Sequence, residues 1–317
     1  MNVSERSRAP PESWQGVMMR TRPSRMRGQM RSLFTTRLPK ALDLRILGTC
    51  DFRCPFCFGP QHDLAPAKAE ALLGLITSLP SFGVETIVIT GGEPTLVPEL
   101  PLLLRTAKQV GLRTILSTNG PGFQRRLREL APLLDWVGLP LDADNPEVNH
   151  RMRVGDPRHF SVIRELLETC RRDFPSLKIK LGTVVCALNK HHVAGIPELV
   201  RGPFAPDIWK LYQVIYSSYG FDNKDLLELS DADFESVAAK VEAAAHQHAI
   251  HLVVFRRRDR EGTYLFVEPT GDVVVVSDGR ETTIGNAFVN LAGVVASWHG
   301  LVNEERLEMN QGLTYPP

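Results

Sequence analysis

From about residue 41 onward, short apolar runs rich in β-branched residues alternate with longer stretches whose apolar positions recur at helical spacing. The runs cover 42–47, 86–90, 114–118, 136–141, 179–186 and 209–216, and each reads as a strand buried on both faces. The stretches 66–78, 99–110, 122–134, 160–174 and 193–201 read as helices. Every connection is long enough for a right-handed crossover, so the strands are expected to pair in parallel. The pattern predicts an α/β fold: a partial (β/α)6 TIM-type barrel with its functional loops at the carboxyl ends of the strands. Beyond it, 263–267 and 273–276 flank Thr270-Gly271-Asp272 as a hairpin, and 288–298 reads as a closing helix. The expected division is therefore a barrel over 37–258 and a small C-terminal extension over 259–317 that caps it.

Residues 1–36 stand apart. Arg6, Arg8, Arg20, Arg22, Arg25, Arg27 and Arg31 are scattered among Ser, Pro and Met without a sustained period. Such a segment reads as a flexible basic arm, or as one that contacts an acidic substrate or partner. The whole chain of 317 residues is 43% hydrophobic, enough for a sizeable core, and its net charge of +1 gives no reason to expect a nucleic-acid partner. No run approaches the roughly 18–20 apolar residues of a membrane span, and the start lacks the apolar core of a secretion signal. The five cysteines, three of them on one loop, do not form a disulfide framework, which suits a reducing cytoplasm.

Those three are Cys50, Cys54 and Cys57, in Thr49-Cys50-Asp51-Phe52-Arg53-Cys54-Pro55-Phe56-Cys57-Phe58, just after the first strand. Three thiolates on one short loop suit three irons of a 4Fe–4S cluster and leave one iron open for a small molecule. A zinc site is the alternative, but no fourth Cys or His follows at ligand spacing. Thr90-Gly91-Gly92-Glu93-Pro94 ends the second strand. Its glycines permit close approach of backbone to a ligand, and the Glu93 carboxylate can accept from an ammonium. Ser117-Thr118-Asn119-Gly120 ends the third strand and offers small polar side chains, or an Asn-Gly turn.

The cysteine spacing, the aromatics Phe56 and Phe58 around the last cysteine, and the Gly-Gly-Glu run at the next strand end resemble the radical S-adenosylmethionine (SAM) superfamily. The resemblance implies one 4Fe–4S cluster on Cys50, Cys54 and Cys57, with SAM held by Phe56, Gly91, Gly92, Glu93, Ser117 and Asn119. It extends the SAM site to Asp142, to Arg153 as partner of the SAM carboxylate, and to Asn189 as an adenine or ribose contact. It also implies an external one-electron reductant such as flavodoxin or ferredoxin, and a 5′-deoxyadenosyl radical that abstracts hydrogen from a small-molecule substrate.

Within the superfamily the chain is most similar to viperin-like enzymes, which dehydrate nucleoside triphosphates. Lys178-Ile179-Lys180, Trp209-Lys210-Leu211-Tyr212-Gln213 and Tyr264-Leu265-Phe266-Val267 carry that likeness. It implies phosphate contacts from Lys180 and Lys210, with Tyr264 nearby. Thr86 stands where that family has another phosphate lysine, Asp43 where an asparagine faces the base, and Ile208 where an arginine precedes the tryptophan. The substrate is accordingly a nucleotide or another small polar metabolite. Another reading is an epimerase or a tailoring enzyme for a sugar, antibiotic or short peptide. Counting by twos along 180–186 places Cys186 on the face of Lys180, as the hydrogen-atom donor such an enzyme needs, while Cys170 reads as core. A third reading, a non-catalytic metal-binding scaffold, has no use for Gly91 to Glu93. With no cysteine after Cys186, no second cluster is expected.

Overall fold

The computed structural model describes residues 37–60, 62–277, 280–298 and 301–314; the basic segment 1–36 lies outside them. Strands β1 (Ala41–Arg45), β2 (Thr86–Thr90), β3 (Arg113–Ser117), β4 (Trp136–Pro140), β5 (Lys178–Val185) and β6 (Ile208–Gln213) form where the apolar runs predict them. A seventh, β7 (Leu252–Phe255), adds to β6 in parallel. The six-strand expectation missed it because Leu252 to Phe255 is a run of four, half-buried and followed at once by Arg256, Arg257 and Arg258. On the other edge β8 (Tyr264–Val267) pairs in parallel with β1, then antiparallel with β9 (Asp272–Ser277), which pairs with β10 (Arg280–Asn286). One sheet results, in the order β10-β9-β8-β1-β2-β3-β4-β5-β6-β7. The segment after 258 thus continues the barrel wall through β8.

Helices cover the outer face. They are α1 (Ala69–Ser78), α2 (Leu100–Gln109), α3 (Pro121–Arg125), α4 (Leu127–Leu130), α5 (Pro146–Met152), α6 (His159–Asp173), α7 (Ile196–Leu199), α8 (Tyr219–Asp222), α9 (Lys224–Leu227) and α10 (Asp231–Gln247). The C-terminal pair, α11 (Ala287–Trp298) and α12 (Glu304–Thr314), completes the set. Each long helix buries one stripe at i, i+3, i+4 spacing: Leu72, Leu75 and Ile76 in α1; Leu100, Leu103, Leu104 and Ala107 in α2; Ile163, Leu166, Leu167 and Cys170 in α6. The helix expected over 122–134 breaks at Arg126, whose guanidinium turns back to the carbonyls of Thr95 and Val97 (both 3.1 Å). The one expected over 193–201 shrinks to the four residues of α7.

The strands are two-faced. In β5, Ile179, Leu181, Thr183 and Val185 are buried beneath helices, while Lys180, Gly182 and Val184 face the barrel interior. A separate cluster of Val88, Ile115, Trp136 and Ile208, joined by Val253, fills the amino-terminal end of that interior with apolar side chains. Thr86 begins β2, buried, and Ile208 begins β6, fully buried.

Leu166 is fully buried under the sheet. Leu166→Ala is expected to lower the unfolding free energy by about 2–5 kcal/mol, read as a lower urea midpoint at unchanged slope.

Candidate cofactor and substrate site

The loop after β1 carries Cys50, Cys54 and Cys57, all partly exposed. Phe52 anchors it, only 2% exposed and edge-on to His159 at 5.4 Å, while Arg53 N–H donates to the Val154 carbonyl (2.7 Å). Backbone N–H groups point at the sulfurs: Phe52 donates to Cys50 Sγ (3.4 Å) and Gly59 to Cys57 Sγ (3.3 Å). Arg153 Nη1 stands 3.9 Å from Cys54 Sγ. Burial pushes the Cys50 thiol up to about 12 and the Cys54 thiol to about 11, so metal loading at neutral pH must displace protons. Among the described residues no three His, Cys, Asp or Glu converge as ligands of one metal ion.

Gly91 and Gly92 are glycine because this loop passes directly over the cysteine loop. Gly91 adopts φ +142°, and a Cβ there would lie 2.5 Å from the Leu47 carbonyl oxygen; one on Gly92 would overlap the carbonyls of Gly48 and Thr49. Gly92 N–H donates to Leu47 O (2.8 Å) and Glu93 N–H to Thr49 O (2.9 Å), bonding the two loops together. Glu93 lies beneath these loops. It is fully buried, and its oxygens accept from Thr95 N (3.0 Å), Thr118 Oγ1 (2.8 Å), Asn119 N (2.7 Å) and the Thr95 hydroxyl. Burial raises its pKa even against these bonds. The bonds brace three loops.

A cavity of about 340 Å³ lies over these loops, lined by Cys50, Cys54, Cys57, Phe56, Gly91, Gly92, Ser117, Asn119 and Arg153. Asn119 Nδ2 donates to Asp51 Oδ1 (2.6 Å), and its Oδ1 is buried without a hydrogen-bond partner. Arg153 Nε is held by Asp142 Oδ2 at 2.6 Å, and the guanidinium lies 4.8 Å from the Phe56 ring centre. Burial works against that charge, but Asp142 and Cys54 more than offset it and raise the Arg153 pKa. Asp142 itself is fully buried, its other oxygen taken by Val184 N–H (2.8 Å), so it positions Arg153 and lies behind the cavity. Asn189 is fully buried; it donates to the carbonyls of Asp142 and Val184 and accepts from Cys186 N–H, and it is not among the residues lining this cavity. Cys186 departs from its expected face. β5 ends at Val185, so the alternation that turns Lys180, Gly182 and Val184 inward stops before it, and its Sγ packs 3.6 Å from Met152 Sδ in the outer core.

A second cavity of about 280 Å³ lies deeper in the barrel and shares Asp43, Lys180, Val184 and Tyr212 with the first. Lys210 and Tyr264 also line it, so four of the residues expected at the substrate, Asp43, Lys180, Lys210 and Tyr264, come together. Gly138 makes room for Lys180: a Cβ there would stand 2.8 Å from the lysine Cε. Burial lowers Lys180 to about 8 although Asp43 opposes this, and burial raises Asp43 against the pull of Lys180, Arg45 and Lys210. Lys210, 1% exposed, is lowered well below its ordinary value by burial and then by Lys180. Sequence reasoning missed Arg45, Tyr212 and Arg260. The first two lie two residues beyond Asp43 and Lys210, where strand alternation could have found them; Arg260 lies in a loop with no period.

A parallel partial barrel with three cysteines after its first strand and a glycine pair after its second defines a cofactor-binding α/β enzyme fold. The radical SAM superfamily model matches residues 44–198, so the chain carries a radical SAM domain there. The family uses a 4Fe–4S cluster and SAM. An S-adenosylmethionine-dependent nucleotide dehydratase of Flammeovirga pacifica is 28% identical over 70% of this chain and 77% of its own length. A protein of that description from Lacinutrix mariniflava is 27% identical, but the chain spans only 47% of its length. In fold, the chain is similar to Streptococcus suis SuiB bound to precursor peptide SuiA, with TM-score 0.68 and 17% identity over 83% of this chain and 66% of that one. The residues present fit the cofactors: soft thiols rimmed by N–H groups, and a buried amide oxygen of Asn119 left without a partner beside them. Among the described residues no helix is long and apolar enough to cross a membrane.

Glu93→Gln replaces an acceptor-only group with one that must point an N–H at another donor. It is expected to cost about 1–3 kcal/mol of stability by chemical denaturation and to weaken SAM binding in calorimetry, with the circular dichroism spectrum unchanged.

Proposed function

We propose that this protein is a single-cluster radical SAM enzyme that takes a hydrogen atom from a nucleotide or a similarly small anionic metabolite seated in the inner cavity. One observation carries the reading: the cysteine-lined cavity and the lysine-lined cavity share a wall of Asp43, Lys180, Val184 and Tyr212, so a substrate in one touches a cofactor in the other. The two nucleotide-dehydratase relatives support a nucleotide-like substrate. When bound, the cluster and SAM supply reductive cleavage to a 5′-deoxyadenosyl radical, with the electron drawn from an external donor such as flavodoxin or ferredoxin.

In this reading the chain's own residues bind, orient and exclude water. Arg153, fixed by Asp142 and Phe56, faces the SAM carboxylate as a rigid fork. Asn119 accepts from SAM through its unpartnered oxygen, and the backbone of Gly91 and Gly92 lets SAM lie against the loop. Lys180 and Lys210 neutralise the substrate's anion. The apolar cluster of Val88, Ile115, Trp136 and Ile208 keeps water from the far end of the barrel.

Anaerobic reconstitution is expected to give about four irons per chain and, with dithionite and SAM, 5′-deoxyadenosine. Cys50→Ala, Cys54→Ala and Cys57→Ala combined should abolish both; full iron retention in that variant would refute the reading. A pH series adds a second check. Since Lys180 loses its proton around pH 8 and an anion prefers the protonated form, substrate affinity is expected to fall as pH rises from 7 through about 8. Lys180→Ala should flatten that profile.

A further inference from the structure

No strand pairs β7 with β8 among the described residues, so the barrel is open on that side. Residues 256–263 cross the opening, from the end of β7 to the start of β8. Arg257 N–H donates to Gln213 Oε1 (2.8 Å), and Arg260 Nη2 to the Gln213 carbonyl (2.5 Å). From outside, α12 holds the same segment: Arg306 Nη1 donates to the Arg258 carbonyl (2.9 Å) and Asn310 Nδ2 to that of Asp259 (3.0 Å). Gln311 of α12 pairs with both backbone groups of Ala41 in β1 (3.1 and 2.7 Å). Leu307, Asn310 and Gln311 thereby become part of the inner cavity wall.

The crossing segment delivers one side chain to the cavity. The Arg260 guanidinium lies 5.1 Å from the Tyr212 ring and 5.9 Å from the Tyr264 ring. Its Nε is buried and has no hydrogen-bond partner. Three cations, Lys180, Lys210 and Arg260, therefore line a space whose one carboxylate is Asp43. Their repulsion is felt: Arg260 and Lys180 both depress the proton affinity of Lys210. A buried group of like charges is costly unless a ligand supplies the opposite sign. Once a bound anion restores the protons that burial draws from the lysines, the four ionised side chains leave an excess of two positive charges. A phosphomonoester carries about −1.5 to −2 at neutral pH, which matches that excess. A triphosphate tail brings more charge than the cavity compensates, and at the amino-terminal end it would meet Val88, Ile115, Trp136 and Ile208 in place of further cations.

We propose that Arg260 is a specificity-determining residue which, with Lys210, grips a single phosphate dianion of the substrate at the β7–β8 opening, so that the substrate class is a compact phosphomonoester. This deepens the proposed function and rests on the inner cavity being the substrate site. Binding of phosphate needs no reductant, so its failure is distinguishable from failure of 5′-deoxyadenosine formation.

The test titrates the reconstituted, SAM-bound protein with inorganic phosphate, and separately with tripolyphosphate, by calorimetry. Wild type is expected to bind phosphate, and tripolyphosphate no more tightly. Arg260→Gln should weaken phosphate by about tenfold or more, as loss of a charge-assisted contact implies. Arg260→Lys should recover part of this, and Arg258→Gln, altering an exposed side chain outside the cavity, should bind as wild type. In the unmodified chain, phosphate should slow phenylglyoxal modification of Arg260, read by mass spectrometry, and leave Arg258 unaffected; this arm decides the matter if Arg260→Gln misfolds. No phosphate binding, equal binding by Arg260→Gln, much tighter tripolyphosphate binding, or no protection of Arg260 would overturn the proposal.

Discussion

The site depends on one contact: the Gly91-Gly92 backbone lying directly against Leu47, Gly48 and Thr49. Because neither glycine carries a Cβ, the ends of β1 and β2 approach closely enough for two backbone hydrogen bonds. Glu93 then enters the space beneath and ties in the end of β3 through Thr118 and Asn119. Three loops with few bonds of their own become one rigid rim. The cysteines and Asn119 keep fixed positions only while that rim holds.

Inside the rim the usual distribution of polarity is inverted. The outer faces of the strands are apolar and covered by helices, whereas the interior holds Asp43, Arg45, Lys180, Lys210 and Tyr212. Arg45 shows how such a charge is tolerated: it bonds Glu268 at 2.5 Å and the Phe58 carbonyl at 2.6 Å, with its guanidinium 3.7 Å from the Phe266 ring centre. Burial draws Lys180 and Lys210 toward the neutral form and Asp43 likewise. Buried groups whose proton affinities shift in concert beside a cysteine-lined cavity are a mark of a ligand site.

Two kinds of lining meet in this interior. Lys180 and Lys210 line the inner cavity, while Val88, Ile115, Trp136 and Ile208 form an apolar floor. Fold and cofactor chemistry are separable from substrate choice, because the first rests on loops at one end of the strands and the second on side chains along the barrel axis.

Much was legible in the chain itself. Six of the strands, the cysteine loop, the glycine pair and the inward face of β5 follow from local spacing, since strand alternation and loop position are set by neighbours in sequence. The rest was not legible, for tertiary reasons. Cys186 and Asn189 lie where β5 becomes a turn, and one residue past a strand end the period of two no longer says which way a side chain points. Glu93 and Asp142 face inward to brace loops because distant donors, Asn119 N–H and Arg153 Nε, take their oxygens. Arg260 reaches the cavity only because β8 joins β1 on the far side of the sheet, which forces its loop across the barrel opening. The sequence by itself determined six of the strands, the long helices and the cysteine loop, through periodicity and composition. Which charged side chains meet inside the barrel was decided only when the chain closed on itself, because that meeting is a property of strand order and not of spacing.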